Sequence, residues 1–258
     1  MFKCFKSKSH SLLGIDLNPS AIKIVEFFNL DKEPCLNNYA YEPISLNPID
    51  KTPYKESEHL TACIEKLITQ INPLTKSVAL AASDSTVICK TIQFADNLSD
   101  LEIEELVFAE AAKHLPGEVN IDFIKLGKSE RRKDLIDVML IASRAENINK
   151  RVEAIQSAGL DIKFVDVESF AVARAVRYLL AKDKQRYNQA RIIAVIDIGI
   201  LSTHLYILEE GRPIYTKEEH FGARQLAKTT AQSYSSFAKE IMRSLLAETL
   251  MHIKKSLQ

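Results

Sequence analysis

The sequence predicts an α/β fold built from two related halves with an insert between them. Three observations carry that prediction. Strand-like and helix-like segments alternate along most of the 258 residues. An apolar strand ending in aspartate and a sharp turn occurs twice, at residues 12–17 and 192–198. Each copy then opens a strand–turn–strand arrangement at the head of its own half, an internal near-duplication.

The elements follow in order. Residues 12–17 read as a buried strand, turned by Asn18-Pro19-Ser20 into a hairpin partner over 21–28. A third strand covers 35–42. Residues 43–53, with Pro43, Pro48 and Pro53, form a loop. In 56–71, Leu60, Cys63, Ile64, Leu67, Ile68 and Ile71 recur at helical spacing. Residues 77–82 are a short buried strand.

A strand over 86–94 begins the insert. Ser99-Asp100-Leu101-Glu102 is a capping box, in which the serine and the glutamate satisfy each other's backbone amides. Its helix runs to about residue 115, where Pro116-Gly117 stops it. Strands at 121–126 and 135–143 flank a charged loop, 128–134. Ser143-Arg144-Ala145-Glu146 reads as a second capping box, for a helix ending near Ser157-Ala158 with Gly159 as its cap. A strand over 162–167 leads into a helix over 168–180. Residues 182–189 are polar and read as a linker. The most apolar strand, 192–198, then pairs with 203–208, and Glu210-Gly211 turns into 212–215. Two helices, roughly 223–231 and 236–257, close the chain.

Composition excludes several functions. Lysine plus arginine equals aspartate plus glutamate, 34 each, so nothing general attracts nucleic acid or anionic lipid. Residues 1–11 form a basic leader, with Lys3, Lys6 and Lys8 beside Phe2 and Phe5. No apolar run reaches the ~18 residues of a membrane span, so the chain is expected to stay in the cytoplasm. The four cysteines (4, 35, 63 and 89) and six histidines are scattered, without metal or redox spacing. The thiols are expected to be reduced and mostly buried.

An aspartate at the tip of a buried strand is costly unless solvated, paired or set against a cation. Asp16 and Asp197 both occupy such a tip. Each precedes a turn, Asn18-Pro19-Ser20 or Gly199, able to present backbone N–H groups to phosphate. Two such loops facing one another would clamp a nucleoside triphosphate, with Mg²⁺ between Asp16, Asp197 and the phosphate oxygens, and Lys23 adding a point charge. As ordinary turn caps the same aspartates would need no ligand.

From Leu13-Gly14-Ile15-Asp16-Leu17-Asn18-Pro19-Ser20 through Ala21-Ile22-Lys23, the chain resembles the first phosphate loop of the actin superfamily in its PilM version. Asp197-Ile198-Gly199 with Thr203 resembles the second. The acidic helix from Asp100 through Glu110-Ala111-Ala112-Lys113-His114-Leu115-Pro116 is similar to the PilM "EA…P" stretch. Ile141-Ala142-Ser143-Arg144 and Ala158-Gly159-Leu160 follow at that family's spacing, and Val165-Asp166-Val167-Glu168 is similar to its connection between halves.

The resemblance implies an actin-like (ribonuclease H-like) fold with an inserted 1C subdomain. Subdomain 1A would comprise 12–85 and 165–190, 1C would comprise 86–164, and 191–258 would be a partial 2A. ATP and Mg²⁺ would lie between the halves, on Gly14, Asp16, Asn18, Pro19, Ser20, Lys23, Asp197, Gly199 and Thr203, with Asp166 and Glu168 at the connection. The partner would be the N-terminal cytoplasmic tail of PilN, and through it PilO, at the cytoplasmic face of the inner membrane. The function expected is a type IV pilus assembly scaffold rather than an enzyme.

The chain also departs from that pattern. Ile200 stands where a small residue is usual, and a β-branched side chain there disfavours positive φ. Phe221-Gly222-Ala223 replaces Gly-Gly. Subdomain 2B and the adenosine loop are expected to be missing, which weakens or removes ATP binding. The apolar surface so exposed would favour self-association. On the 1C helix, Leu101, Phe108, Ala112 and Leu115 share a face expected to pack on the 1C sheet. Its alternative use, with Leu101, Glu105, Phe108 and Ala112, is to receive a basic partner tail beside an acidic flank. The competing readings are a catalytically competent actin-fold ATPase and an FtsA-like division protein held to membrane by a C-terminal amphipathic helix.

Overall fold

Alternation of apolar and polar side chains, rather than helical periodicity, governs the start of the chain. β1 (Leu12–Asn18) buries Leu13, Ile15 and Leu17 and turns the residues between them the other way. It continues as an antiparallel meander through β2 (Ala21–Phe28) and β3 (Cys35–Pro43). The computed structural model describes residues 11–18, 20–28, 33–44, 53–129, 132–181 and 192–223. The basic leader, Pro19, the 182–189 linker and the two closing helices lie outside the described residues, as does most of the proline-rich loop.

Two later strands, β4 (Ser77–Ala82) and β8 (Asp161–Val167), add to the meander in parallel, giving the order β3-β2-β1-β4-β8. This is the ribonuclease H-like arrangement of an actin-like half. α1 (Pro53–Ile71) covers one face, burying Ile64 and Leu67 against Leu13, Ile15, Ile22, Ile24 and Val78. α3 (Ala145–Ser157) joins that core through Ala154 and Ile155. Beneath the core, Glu26 is fully buried. Its carboxylate accepts hydrogen bonds from Asn37 Nδ2 (2.7 Å), Asn38 Nδ2 (2.8 Å) and the Leu74 amide (2.6 Å), so it ties β2 to β3 and to the loop before β4.

The insert is a separate layered body. β5 (Val87–Ala95), β7 (Leu135–Arg144) and β6 (Val119–Lys128) form an antiparallel sheet with β7 central. α2 (Asp100–Ala112) lies on one face, Ile103, Val107 and Ala111 meeting Val138, Leu140 and Ala142. Its capping box is as expected: the Glu102 amide donates to Ser99 Oγ, and the Ser99 amide donates to Glu102 Oε2. The helix stops at Ala112, short of the expected 115, where the Lys113 and His114 amides bond three residues back, to the Glu110 and Ala111 carbonyls, and tighten the last turn.

The second capping box does not form. The N-cap of α3 is Arg144, with no side-chain cap, and Ser143 is buried in β7, its hydroxyl donating to the Thr86 carbonyl. A serine still engaged in a sheet cannot turn back onto the helix that follows. At the other end the expected glycine cap is present. Gly159 has φ +75°, its amide donates to the Gln156 carbonyl, and the Leu160 amide reaches the Ile155 carbonyl.

The chain divides into two compact units, residues 1–168 and 169–258. In the second, β9 (Ile192–Ile198), β10 (Thr203–Glu209) and β11 (Arg212–Glu219) form an antiparallel sheet in the order β11-β10-β9, repeating β3-β2-β1. β11 runs four residues beyond the expected 212–215. α4 (Glu168–Ala181) carries Ala173 into a core with Tyr206, Leu208, Ile193 and Val195. The apolar β9 is less buried than its composition suggests, with Ile192, Ile196 and Ile198 exposed on one face. The thiols also differ: Cys63 is buried, Cys35 partly so, and Cys89 is exposed.

Candidate functional site

The duplicated turns give the first place to look. Gly14 sits within β1, between Val25 of β2 and Ala79 of β4, as a strand residue rather than a turn residue. A Cβ there would come within 3.2 Å of Val25 Cγ2, so the small residue lets the hairpin close. Asp16 faces Lys23 across the hairpin and pairs with it at 3.0 Å, both side chains half-exposed. In the turn, Asn18 Oδ1 accepts from the Ser20 amide (3.1 Å) and the Ser20 hydroxyl (2.8 Å), a local Asx arrangement.

The second turn is held from the far side. Asp197 is exposed near the end of β9, opposite His204. The Gly199 amide donates to the Ser202 carbonyl (2.9 Å), and the Gly199 carbonyl accepts from the Ala223 amide (2.9 Å). Added Cβ atoms would lie 2.8 Å from the Ser202 oxygen at Gly199 and 2.6 Å from the Gly199 oxygen at Gly222, so two backbones touch where only glycine fits. Thr203 is buried and its hydroxyl donates to the Phe221 carbonyl at 2.6 Å. Ile200 turns its side chain outward without a positive φ, so β-branching costs nothing there.

Within each turn, then, the expected residues do come together, but largely on one another. The Ser20 and Gly199 amides, the Thr203 hydroxyl and the Asp16–Lys23 charges all have intramolecular partners. Neither aspartate is buried; one is paired and both meet solvent, which removes the cost their strand-end positions implied. Among the described residues no group of three or more His, Cys, Asp or Glu is arranged to hold a metal ion. Asp166 and Glu168 stand at the β8–α4 junction, where the first unit ends.

α2 gives the second place. The face expected to pack on the sheet is not the one that does so. Ile103, Val107 and Ala111 make the core contact, and of the expected face only Leu115 joins it. Leu101 is 74% exposed and Phe108 48% exposed, with Glu105 and Ala112 also at the surface. Spacings of four, three and four residues align these four side chains in one outward stripe. The helix is apolar on two faces, so periodicity alone does not tell which is inside.

Charge borders the stripe. Glu104 and Glu105 are exposed on the outward side. On the flank facing β5, Glu110 binds Lys90 (2.7 Å), Lys113 (2.7 Å) and His114 (3.3 Å). Hydrogen bonds from Lys113, Lys90 and His114, in that order, hold its carboxyl down to about 2. The Ser99 amide and hydroxyl lower the Glu102 carboxyl in the same way.

Sequence reasoning missed Gly222 as the partner of Gly199, and missed the cluster beside Thr203. There, Ser202 Oγ lies 3.0 Å from His204 Nε2, and His204 stacks on Tyr206 with ring centres 6.0 Å apart. An i, i+2 pattern of polar and aromatic residues after the turn was its one signal. No described helix is long and apolar enough to cross a membrane.

Comparison with known proteins follows the same lines. The family model described as type IV pilus assembly protein PilM matches residues 14–244. A solved PilM–PilN type IV pilus biogenesis complex is similar at 26% identity and a TM-score of 0.70, covering 95% of this chain and 76% of that one. The cytoplasmic domain of EpsL, an inner-membrane component of the Vibrio cholerae type II secretion system, is similar at 12% identity, TM-score 0.48, with 87% and 76% covered. The ethanolamine utilization protein EutJ of Carboxydothermus hydrogenoformans is similar at 14%, TM-score 0.47, with 96% and 71% covered.

Proposed function

Because the chain belongs to the type IV pilus assembly protein PilM family, we propose that it is a cytoplasmic scaffold of the pilus platform that holds the N-terminal tail of a PilN partner, and through it PilO, at the inner membrane. The observation that carries the reading is the outward stripe of α2, in which Leu101, Phe108 and Ala112 are apolar and Glu105, within it, and Glu104, beside it, are acidic. Such a surface suits a short tail with apolar anchors and basic neighbours. The similarity to a solved PilM–PilN complex supports PilN as the source of that tail.

The test is titration of the chain with the N-terminal PilN peptide. Phe108→Ser should cost about 2 kcal/mol, the size of an interface hot spot, which is roughly thirtyfold in affinity. Leu101→Ser should weaken binding in the same direction. Affinity unchanged in both variants would remove the stripe from the reading, and no binding of the peptide by the parent chain would remove PilN.

In the same proposal the chain is not a nucleotide hydrolase. ATP and Mg²⁺ would need Asp16, Lys23, Thr203 and the Ser20 and Gly199 amides, and each of these groups is engaged within the chain. Calorimetric titration with Mg-ATP should give no micromolar site; finding one would overturn this part alone.

A further inference from the structure

α2 carries five acids, and three of them serve the fold. Asp100 pairs with Lys125, Glu102 accepts from the Ser99 amide and hydroxyl, and Glu110 binds Lys90, Lys113 and His114. Glu104 and Glu105 do not. Both are exposed, and among the described residues neither side chain has an ion pair or a hydrogen bond. They stand in the second turn, past the reach of the helix dipole that favours acids at a helix start. Glu104 lies four residues from Asp100 and Glu105 three from Glu102, spacings at which like charges repel. Neither acid, then, stabilises the helix that carries it.

Their place on α2 gives them another use. Residues 101, 104, 105 and 108 follow the i, i+3, i+4, i+7 spacing that outlines a hole on a helix surface, the kind that receives one side chain of a facing segment. Leu101 and Phe108, both exposed, close its two ends, and Glu104 and Glu105 form its two sides. An aliphatic side chain seated there would cover two carboxylates without pairing them. A long basic side chain satisfies all four walls, its methylenes lying on Leu101 and Phe108 and its charge meeting both acids. Arginine suits the hole better than lysine, because its planar fork reaches two carboxylates at once and stacks on an aromatic ring.

We infer that this hole reads one arginine of the docked tail, so that Glu104 and Glu105, by charge, and Phe108, by its ring, set which tails α2 accepts. The inference rests on the docking of a basic, apolar tail proposed above and adds the side chain that is recognised. A tail with the apolar anchors but without that arginine binds weakly.

Titration with the N-terminal PilN peptide tests it, with Glu104→Gln and Glu105→Gln combined on the chain and each arginine of the peptide changed in turn to glutamine. The double variant should bind about tenfold more weakly. One of the peptide changes should match that loss, and on the double variant it should cost nothing further, because both act on the same contact. Lysine in place of that arginine should recover only part of the affinity. The melting temperature of the chain without peptide should not fall in the double variant, since no partner within the chain is lost. Three results overturn the inference and leave the docking reading standing, provided the parent binds the peptide and Phe108→Ser weakens it. These are unchanged affinity in the double variant, no single arginine coupled to it, and a lower melting temperature, which would mean that a basic residue of this same chain fills the hole. A peptide that fails to bind the parent chain removes both.

Discussion

Glu26 shows how much one buried acid can organise. Three N–H donors from β3 and the loop before β4 converge on its carboxylate, and no cation is among them. Glu26→Ala would leave those part-buried donors without their shared acceptor, and a loss of about 2 kcal/mol is expected in urea unfolding. Glu110 poses the opposite case, an acid at the surface with three basic neighbours. Its carboxyl lies at about 2 against an ordinary 4.5, so its ionised form is favoured in the folded chain. The stability this lends is complete above the ordinary value and is lost as pH falls from there toward 2. Acid unfolding of Glu110→Gln should therefore lack part of the parent's slope between those limits, and the two chains should behave alike in slope near neutrality. Glu26's role was not legible in the sequence, because its donors come from β3 and a distant loop, whereas two of Glu110's partners lie three and four residues on and only Lys90 comes from another element.

At the scale of elements, the start of α2 is set by four residues and its orientation is not. Ser99→Ala removes the capping hydroxyl and should cost about 1 kcal/mol. The Glu102 carboxyl should titrate closer to its ordinary range in that variant, which nuclear magnetic resonance would report. That capping box was legible because it is local. The same four-residue pattern at Ser143 was misleading because β7 holds its serine first. The helix face was likewise misread: Leu101 and Phe108 look like core residues by chemistry, yet Ile103 and Val107 face the sheet. Strands were read well wherever a turn bounded them, as at Asn18-Pro19-Ser20 and Glu210-Gly211. The glycine contact between residues 199 and 222 was beyond reach, since two backbones meeting across a loop leave no pattern in composition.

For the molecule as a whole, the repeated meander was the strongest message of the sequence. β3-β2-β1 and β11-β10-β9 are the same device used twice, and each sets an aspartate of its first strand opposite a basic side chain, Lys23 or His204. The first unit contains two separate cores, one under the five-stranded sheet and one under α2. Leu67→Ala and Val107→Ala fall in different cores and each should cost about 2–4 kcal/mol. Without shared neighbours, their effects should add to within about 0.5 kcal/mol in the double variant. A clear excess over the sum, read from the urea midpoints, would mean that the two cores act as one.

The parallel strands of the first sheet also set the timetable of biosynthesis. Leu13 is beside Val78, and Val78 beside Ile162, so β1 cannot complete its pairing until β4 has left the ribosome, and β4 must wait in turn for β8. At elongation rates of about 5–20 residues per second that second wait brings the whole interval to on the order of ten seconds. During it a nascent meander rich in isoleucine and phenylalanine stands half-finished, its apolar face uncovered until the later strands arrive.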